Sequence, residues 1–157
     1  MMDDATLEVL LQSLKQEDEY QRELATAALW QRWFYQKGET GNQRLRAAQT
    51  LIDEERLDAA AALLSALVVE LPDFAEAWNR RAVLYYLQHL YLEALADCQR
   101  VIELVPYHFG ALHGLGLCHA ALGKYEEAIQ MFRRALVVQP YGLVNQRLIL
   151  ECTARLS

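Results

Sequence analysis

The chain contains three prolines, Pro72, Pro106 and Pro140, and the same 34-residue interval separates each from the next. A fixed period of about 20–50 residues is the signature of a repeat architecture. Proline also ends helices, because it lacks an N–H donor and moves the preceding residue out of the helical region. The spacing therefore predicts a series of copied units, each ending at a proline.

An apolar pattern recurs before each proline, with steps of three, one, three, three and one. These steps put the side chains on one stripe of an α-helix, and no alternating β-branched run predicts a strand. We therefore predict an all-α chain with two helices in each period. The stripe consists of Leu57, Ala60, Ala61, Leu64, Leu67 and Val68; then of Tyr91, Ala94, Leu95, Cys98, Val101 and Ile102; and then of Tyr125, Ala128, Ile129, Phe132, Ala135 and Leu136.

Local signals predict where some helices begin and end. Asp73 is expected to cap the helix after the first proline, with Glu76 three residues later in a capping-box arrangement. Gly38 to Asn42 are expected to form a link, with Gly38 as a helix stop.

Composition argues against several classes of function. The net charge is −6 and no basic stripe is present, which disfavours nucleic-acid binding. The three cysteines are scattered without a CxxC pair, which favours buried thiols in a reducing compartment. The sequence shows no signal-peptide pattern and no run of 18 apolar residues, so we do not expect membrane insertion. We expect a cytoplasmic protein, or one of the plastid stroma if a transit peptide has been removed.

The period, the helix-pair layout and the residue types resemble the tetratricopeptide repeat, in the manner of small bacterial or plastid members of that family. The match is strongest in residues 109–142, with Leu112, Gly116, Gly123 and Tyr125 at characteristic places. The resemblance implies a right-handed α-solenoid of helix-turn-helix repeats with capping helices at both ends. The implied domains are an N-terminal cap or degenerate repeat at 1–40, three repeats at 41–74, 75–108 and 109–142, and a C-terminal capping helix at 143–157.

The resemblance further implies a concave groove that binds a peptide or a helix of a partner protein. Asn79, Arg80 and Tyr86 are the predicted groove residues best suited to hold a peptide. Alternatively, Arg80 and Arg81 form ion pairs with Glu76 or Asp73. The full predicted set is Asn42, Leu45, Arg46, Gln49, Asp53, Glu76, Asn79, Arg80, Val83, Tyr86, Leu87, His113, Leu117, Ala120 and Arg147.

The carboxylate clamp with which some members of the family hold chaperone tails is missing. Its lysine positions hold Leu45 and Gly110, one asparagine position holds Gln49, and its arginine position holds Gly114. We therefore expect that chaperone C-terminal tails are not the ligand.

No pattern predicts catalysis, a metal site or a cofactor. His113 and His119 are six residues apart, whereas helical metal ligands stack at three or four. Cys118 and His119 are adjacent and point in different directions on a helix. The glycines around Gly114 follow no strand and favour close helix packing over a phosphate loop. We expect a non-enzymatic protein.

The leading hypothesis is an adaptor, scaffold or assembly factor that binds a peptide or helix in its groove. One alternative is a homo-oligomeric structural protein, such as a homodimer, joined through the aromatic region around Trp30 and Trp33 or through the C-terminal helix. A third class, RNA binding, is disfavoured by the negative charge.

Overall fold

The computed structural model describes residues 4–157, and these residues form nine α-helices without a strand, which confirms the predicted all-α class. Short turns join the helices. Their bounds are α1 Asp4–Ser13, α2 Glu19–Phe34, α3 Gly38–Asp53, α4 Leu57–Glu70, α5 Ala75–Leu87, α6 Tyr91–Leu104, α7 Phe109–Ala121, α8 Tyr125–Val138 and α9 Leu143–Leu156.

The prolines end helices as their spacing predicts. Helices α4, α6 and α8 each stop two residues before a proline. The residue directly before each proline has left the helical region, with φ between −124° and −137° and ψ between 72° and 87°. The division of residues 41–142 into three repeats stays a prediction, with α3–α4, α5–α6 and α7–α8 as its helix pairs.

The turns inside these pairs share a left-handed residue. Glu55, His89 and Gly123 have φ values of 60°, 61° and 76° and lie 34 residues apart. Only Gly123 adopts this conformation without a Cβ penalty. The turn geometry is therefore retained even where the glycine that favours it is absent.

Small residues let the two helices of a pair approach each other closely. Ala48 and Ala82 are buried on α3 and α5, and Gly116 is buried at the equivalent place on α7. A Cβ at Gly116 would lie 2.3 Å from the ring of Phe132 on α8. Glycine is therefore required there by packing.

Two local predictions are wrong. Helix α5 begins at Ala75, and the Asp73 carboxylate binds Lys37 at 2.7 Å instead of capping the helix. Gln36 supplies the acceptor, because its Oε1 accepts a hydrogen bond from the Ala75 N–H at 3.3 Å. Helix α3 begins at Gly38, so the link before it is residues 35–37 and not 38–42.

Helix α2 runs across the N-terminal ends of α9, α7 and α5. Near its start, the Arg22 guanidinium lies 4.0 Å from the ring centroid of Tyr141. Further along, Thr26 Oγ1 accepts a hydrogen bond from Gln139 Nε2 at 3.4 Å. The Trp30 ring packs on Phe109 at the start of α7, with 5.3 Å between centroids.

The end of α2 and the following turn reach α5. The Phe34 ring centroid lies 5.0 Å from the Arg80 guanidinium, and Gln36 Nε2 donates to the Asp73 carbonyl at 2.9 Å. A helix stacked as a preceding repeat would contact only the neighbouring unit. This placement therefore differs from the degenerate repeat considered from the sequence.

Helix α2 is held by its own apolar cluster. Leu14, Ala25, Leu29 and Trp33 are buried together with Phe109 of α7, and α1 packs partly buried leucines against them. At the other end of the chain, α9 buries Cys152 against α8.

A buried polar network lies beneath Trp33. The ring of His108 is completely buried and stacks on Trp33 with 3.9 Å between centroids. Its Nδ1 accepts a hydrogen bond from the Ala111 N–H at 3.1 Å and so caps α7. The proton must then be on Nε2, which donates to Glu76 Oε2 at 3.1 Å.

The fully buried Glu76 carboxylate has two further partners on its own helix. Its Oε1 accepts a hydrogen bond from Asn79 Nδ2 at 3.1 Å and lies 3.3 Å from Arg80 Nε. A buried carboxylate is tolerated when its oxygens are paired in this way. Glu76 thus connects α5 to α7 under α2.

We predict that Gly116→Ala destabilises the protein by about 1–3 kcal/mol, because the added methyl group overpacks the buried Phe132 ring. Helix propensity alone would predict a gain of about 1 kcal/mol. Urea denaturation followed by circular dichroism measures the sign. Phe132→Leu should lower the free energy of unfolding by less in the Gly116→Ala background than in the wild type. Fully additive losses would contradict the packing explanation.

We predict that His108→Ala lowers the free energy of unfolding by about 3 kcal/mol, because Glu76 loses a donor and α7 loses its cap. The same urea titration measures the loss. The control is Glu103→Ala, which removes an exposed ion pair with Arg100 and should change stability by less than about 1 kcal/mol. Equal losses in the two variants would show that the buried network contributes no more to stability than an exposed ion pair does.

Candidate functional site: a groove beside α2

A groove follows the first helices of the predicted repeats, α3, α5 and α7, and α2 forms part of one wall. It contains two adjacent cavities, which we call proximal and central. The proximal cavity, of about 330 Å³, is lined by Phe34, Tyr35, Asn42, Leu45, Arg46, Gln49 and Arg80. The central cavity, of about 170 Å³, is lined by Asn79, Ala82, Val83, Tyr86, Cys98, Gly110, His113, Gly114, Leu117 and Cys118.

A third cavity, of about 530 Å³, continues from the central one towards α9, and we call it distal. Tyr86 and Leu117 line both, so the groove is continuous from α5 to the last helix. Ala120 of α7 and Cys152 of α9 are among the residues that line it.

Most of the residues predicted for the groove line one of these cavities, but Glu76, Asp53, Arg147 and Leu87 do not. Glu76 is fully buried in the network under Trp33 and is not available to a partner. Asp53 is exposed and accepts a hydrogen bond from Gln49 Nε2 at 2.9 Å. Arg147 is exposed on α9 and lies 3.5 Å from Glu151 Oε1.

The floor of the groove is polar and largely occupied by internal contacts. Asn79 is 7% exposed and donates to Glu76, and His113 Nδ1 lies 2.7 Å from Asn145 Oδ1. Arg80 donates to Gln49 Oε1 at 2.7 Å and pairs with Glu76, so the ion pair considered from the sequence is present. These side chains fix the shape of the groove.

Arg81 faces away from these partners. Its guanidinium forms two hydrogen bonds to the Asp97 carboxylate, at 2.7 and 2.9 Å. This pairing raises the pKa of Arg81 above its ordinary value. The suggested pairing of Arg81 with Glu76 or Asp73 is therefore wrong.

The upper wall of the groove on α5 is apolar and accessible. Val83 lines the central cavity and is 44% exposed, and Leu87, one turn further along α5 and outside the cavities, is 53% exposed. Tyr86 lies between them, and partial burial raises the pKa of its hydroxyl. Adjacent exposed apolar side chains on one wall are the part of the groove best suited to contact a partner.

The glycines of α7 serve packing. A Cβ at Gly110 would lie 2.6 Å from the Trp30 indole, and one at Gly114 would lie 3.0 Å from Cys98 Sγ. Trp30 of α2 therefore requires a residue without a side chain at Gly110. This agrees with the sequence-based preference for close packing over a phosphate loop.

Phe34 and Tyr35 line the proximal cavity, although sequence analysis did not assign them to the groove. The aromatic run that starts at Trp30 is the sequence signal for them, although on sequence grounds this run predicts a cap or an oligomer interface. Trp33 is only 3% exposed within one chain, so it is not available to form the centre of an interface with a second copy.

Two cysteine thiols line the central cavity. A hydrogen bond between Cys98 and Cys118 raises the pKa of the Cys98 thiol and lowers that of Cys118. Burial also raises the pKa of Cys152. If one thiol in the groove ionises, it is Cys118.

The described residues contain neither a helix suited to span a membrane nor a cluster suited to hold a metal ion. None of the helices between residues 4 and 157 combines the length and apolar composition that a membrane span needs. Within the same residues, no three His, Cys, Asp or Glu side chains are placed to share a metal ion.

Comparison with known proteins gives consistent results. The family model for the tetratricopeptide repeat matches residues 73–138. A protein of Rhizobium etli described as containing this repeat is 33% identical over 101 residues, which cover 64% of this chain and 50% of the relative. The chain thus spans about half the length of that relative.

Two solved structures show the same fold at low sequence identity. The first tetratricopeptide domain of Spaghetti, bound to an HSP90 peptide, has a TM-score of 0.70 at 19% identity and covers 72% of this chain and 90% of that one. The TPR2B domain of yeast Sti1, in complex with an Hsp70 peptide, has a TM-score of 0.65 at 17% identity and covers 72% and 98%.

We predict that Cys118 reacts with methyl methanethiosulfonate before Cys98, with which it shares the central cavity, and before Cys152, because the pKa of Cys118 is lowered whereas those of the other two thiols are raised. Peptide mapping by mass spectrometry after short exposure of the native protein measures the order. Preferential labelling of Cys98 or Cys152 would contradict this arrangement of thiols.

Proposed function

The chain belongs to the tetratricopeptide-repeat family, and we propose on this basis that it binds a peptide segment of another protein in the groove beside α2. It acts without catalysis, as an adaptor, scaffold or assembly factor. The observation that carries the proposal is the accessible apolar wall of Val83 and Leu87 above a rigid polar floor.

The groove is largely preformed, and this favours binding of a partner. Its floor residues are fixed by hydrogen bonds, so few side chains need to be ordered when a partner arrives, and binding then costs less conformational entropy. The structural neighbours that hold peptides support the same role for this fold.

The ligand we propose differs from the chaperone peptides of those neighbours. Lysine is absent from the groove, and the positions that would hold a terminal carboxylate contain Leu45, Gln49 and glycines. The three cysteines are buried and form no disulfide, which supports a reducing compartment such as the cytoplasm as part of the proposal.

We predict that Val83→Glu combined with Leu87→Glu weakens peptide binding, because two charges replace the exposed apolar side chains of α5. Peptides are first selected from a displayed random library against the wild-type protein, and the affinity of each is then measured by fluorescence anisotropy. We expect a loss of affinity of about ten-fold or more.

The matched control is Val69→Glu combined with Leu92→Glu, which places two charges on α4 and α6, where these side chains are 80% and 64% exposed. This variant should bind the selected peptides as the wild type does. Equal binding by both double variants, or a failure to select any peptide, would overturn the proposed function.

A further inference from the structure

Two cysteine side chains from neighbouring helices meet at the central cavity. A Cβ at Gly114 of α7 would lie 3.0 Å from Cys98 Sγ, so the thiol of Cys98 on α6 lies directly against α7. Cys118 follows Gly114 by four residues and shares its face of α7, and helical side chains lean towards the preceding turn. This arrangement places the Cys118 thiol beside the Cys98 thiol.

The two thiols have different roles in the hydrogen bond between them. The Cys98 S–H donates to the Cys118 sulfur, which raises the pKa of the Cys98 thiol and lowers that of Cys118. The thiolate, and not the thiol, is the nucleophile in cysteine chemistry. Cys118 is therefore the attacking member of the pair, and Cys98 is the adjacent thiol that receives its product.

The cavity limits which reagents reach the pair. Both cysteines are buried, and both line the central cavity of about 170 Å³. A water molecule takes up about 30 Å³ in the liquid, and hydrogen peroxide is only slightly larger. The cavity therefore has room for a peroxide molecule, whereas a protein disulfide is too large to enter it.

We propose that Cys98 and Cys118 form a redox-active dithiol site, at which hydrogen peroxide converts the two thiols into a reversible disulfide. The bond adds a covalent link between α6 and α7 at the wall of the groove. Disulfides of this transient kind also form in reducing compartments. The site goes beyond the proposed function and does not depend on peptide binding.

The reaction balances with peroxide as the oxidant. The Cys118 thiolate attacks a peroxide oxygen, the O–O bond breaks, and the released hydroxide takes a proton from solvent and leaves as water. Cys118 is then a sulfenic acid. The Cys98 sulfur attacks the Cys118 sulfur, the S–O bond breaks, and the hydroxyl group leaves with the Cys98 proton as a second water. The two thiols lose two electrons, and one peroxide is reduced to two waters.

Cys152 provides a comparison within the same chain. It is buried against α8, and burial raises the pKa of its thiol. Among the side chains that the structure describes, no thiol forms a hydrogen bond with Cys152. Because it has neither a lowered pKa nor an adjacent thiol, Cys152 should stay reduced while the pair is oxidised.

The test is oxidation of the native protein by increasing concentrations of hydrogen peroxide at neutral pH. The remaining thiols are then alkylated in denaturant, and the products are mapped by mass spectrometry of peptides. We expect a disulfide between Cys98 and Cys118, a free Cys152, and recovery of all three thiols with dithiothreitol.

The same oxidation of the urea-unfolded chain is the reference. Closing the loop of 20 residues from Cys98 to Cys118 is only about two-fold more probable than closing the loop of 34 residues from Cys118 to Cys152. The unfolded chain should therefore give mixed pairings, whereas the native protein should give about ten-fold more of the first bond than of any other.

Three single variants assign the roles. In Cys98→Ser, which lacks the receiving thiol, dimedone should trap a sulfenic acid at Cys118. In Cys118→Ser, dimedone labelling of Cys98 should be about ten-fold lower than the labelling of Cys118 in the first variant. Cys152→Ser is the matched control and should form the disulfide as the wild type does. The wild-type map needs no substitution, so it decides the question even if a variant fails to fold.

Three outcomes would overturn the inference. One is oxidation of Cys152 before the pair, and another is the same mixture of pairings in the native and the unfolded chain. The third is a native protein whose thiols all stay free up to the peroxide concentration that oxidises its methionines, because Cys98 and Cys118 would then serve packing alone.

Discussion

The hydrogen bond from His108 to Glu76 joins the two helices that form the centre of the groove. It lies beneath Trp33, so the same histidine ring also holds α2 in place. The remaining acceptor on that ring caps α7. Because one side chain meets three separate requirements, the position of α2 and the width of the groove between α5 and α7 are set together.

The placement of α2 decides which surface is left for a partner. Trp30 lies on Gly110 and Trp33 covers the Glu76 network, so one side of the groove is filled by the chain itself. Phe34 then becomes a wall of the proximal cavity beside Asn42. A peptide bound here would contact both the repeats and the helix that precedes them.

The sequence predicted the helix pairs and their ends well, because the period, the apolar stripe and proline chemistry are local properties. It failed where long-range contacts decide: Asp73 binds Lys37 and so does not cap α5, and Arg81 turns to Asp97. The burial of Glu76 was also unpredictable, since its partner His108 lies 32 residues away. Whether α2 stacks on the repeats or crosses them depends on aromatic contacts that no local pattern specifies.

The course of α2 across the repeats is tested most directly by chemical cross-linking of Thr26→Cys with Gln139→Cys, whose native side chains meet at 3.4 Å although 113 residues separate them. With a short bismaleimide, peptide mapping should show an intramolecular link between these positions in the monomer. Thr26→Cys paired with Val69→Cys should give none. Absence of the first link, or equal yields for both pairs, would contradict this account of the fold and the groove.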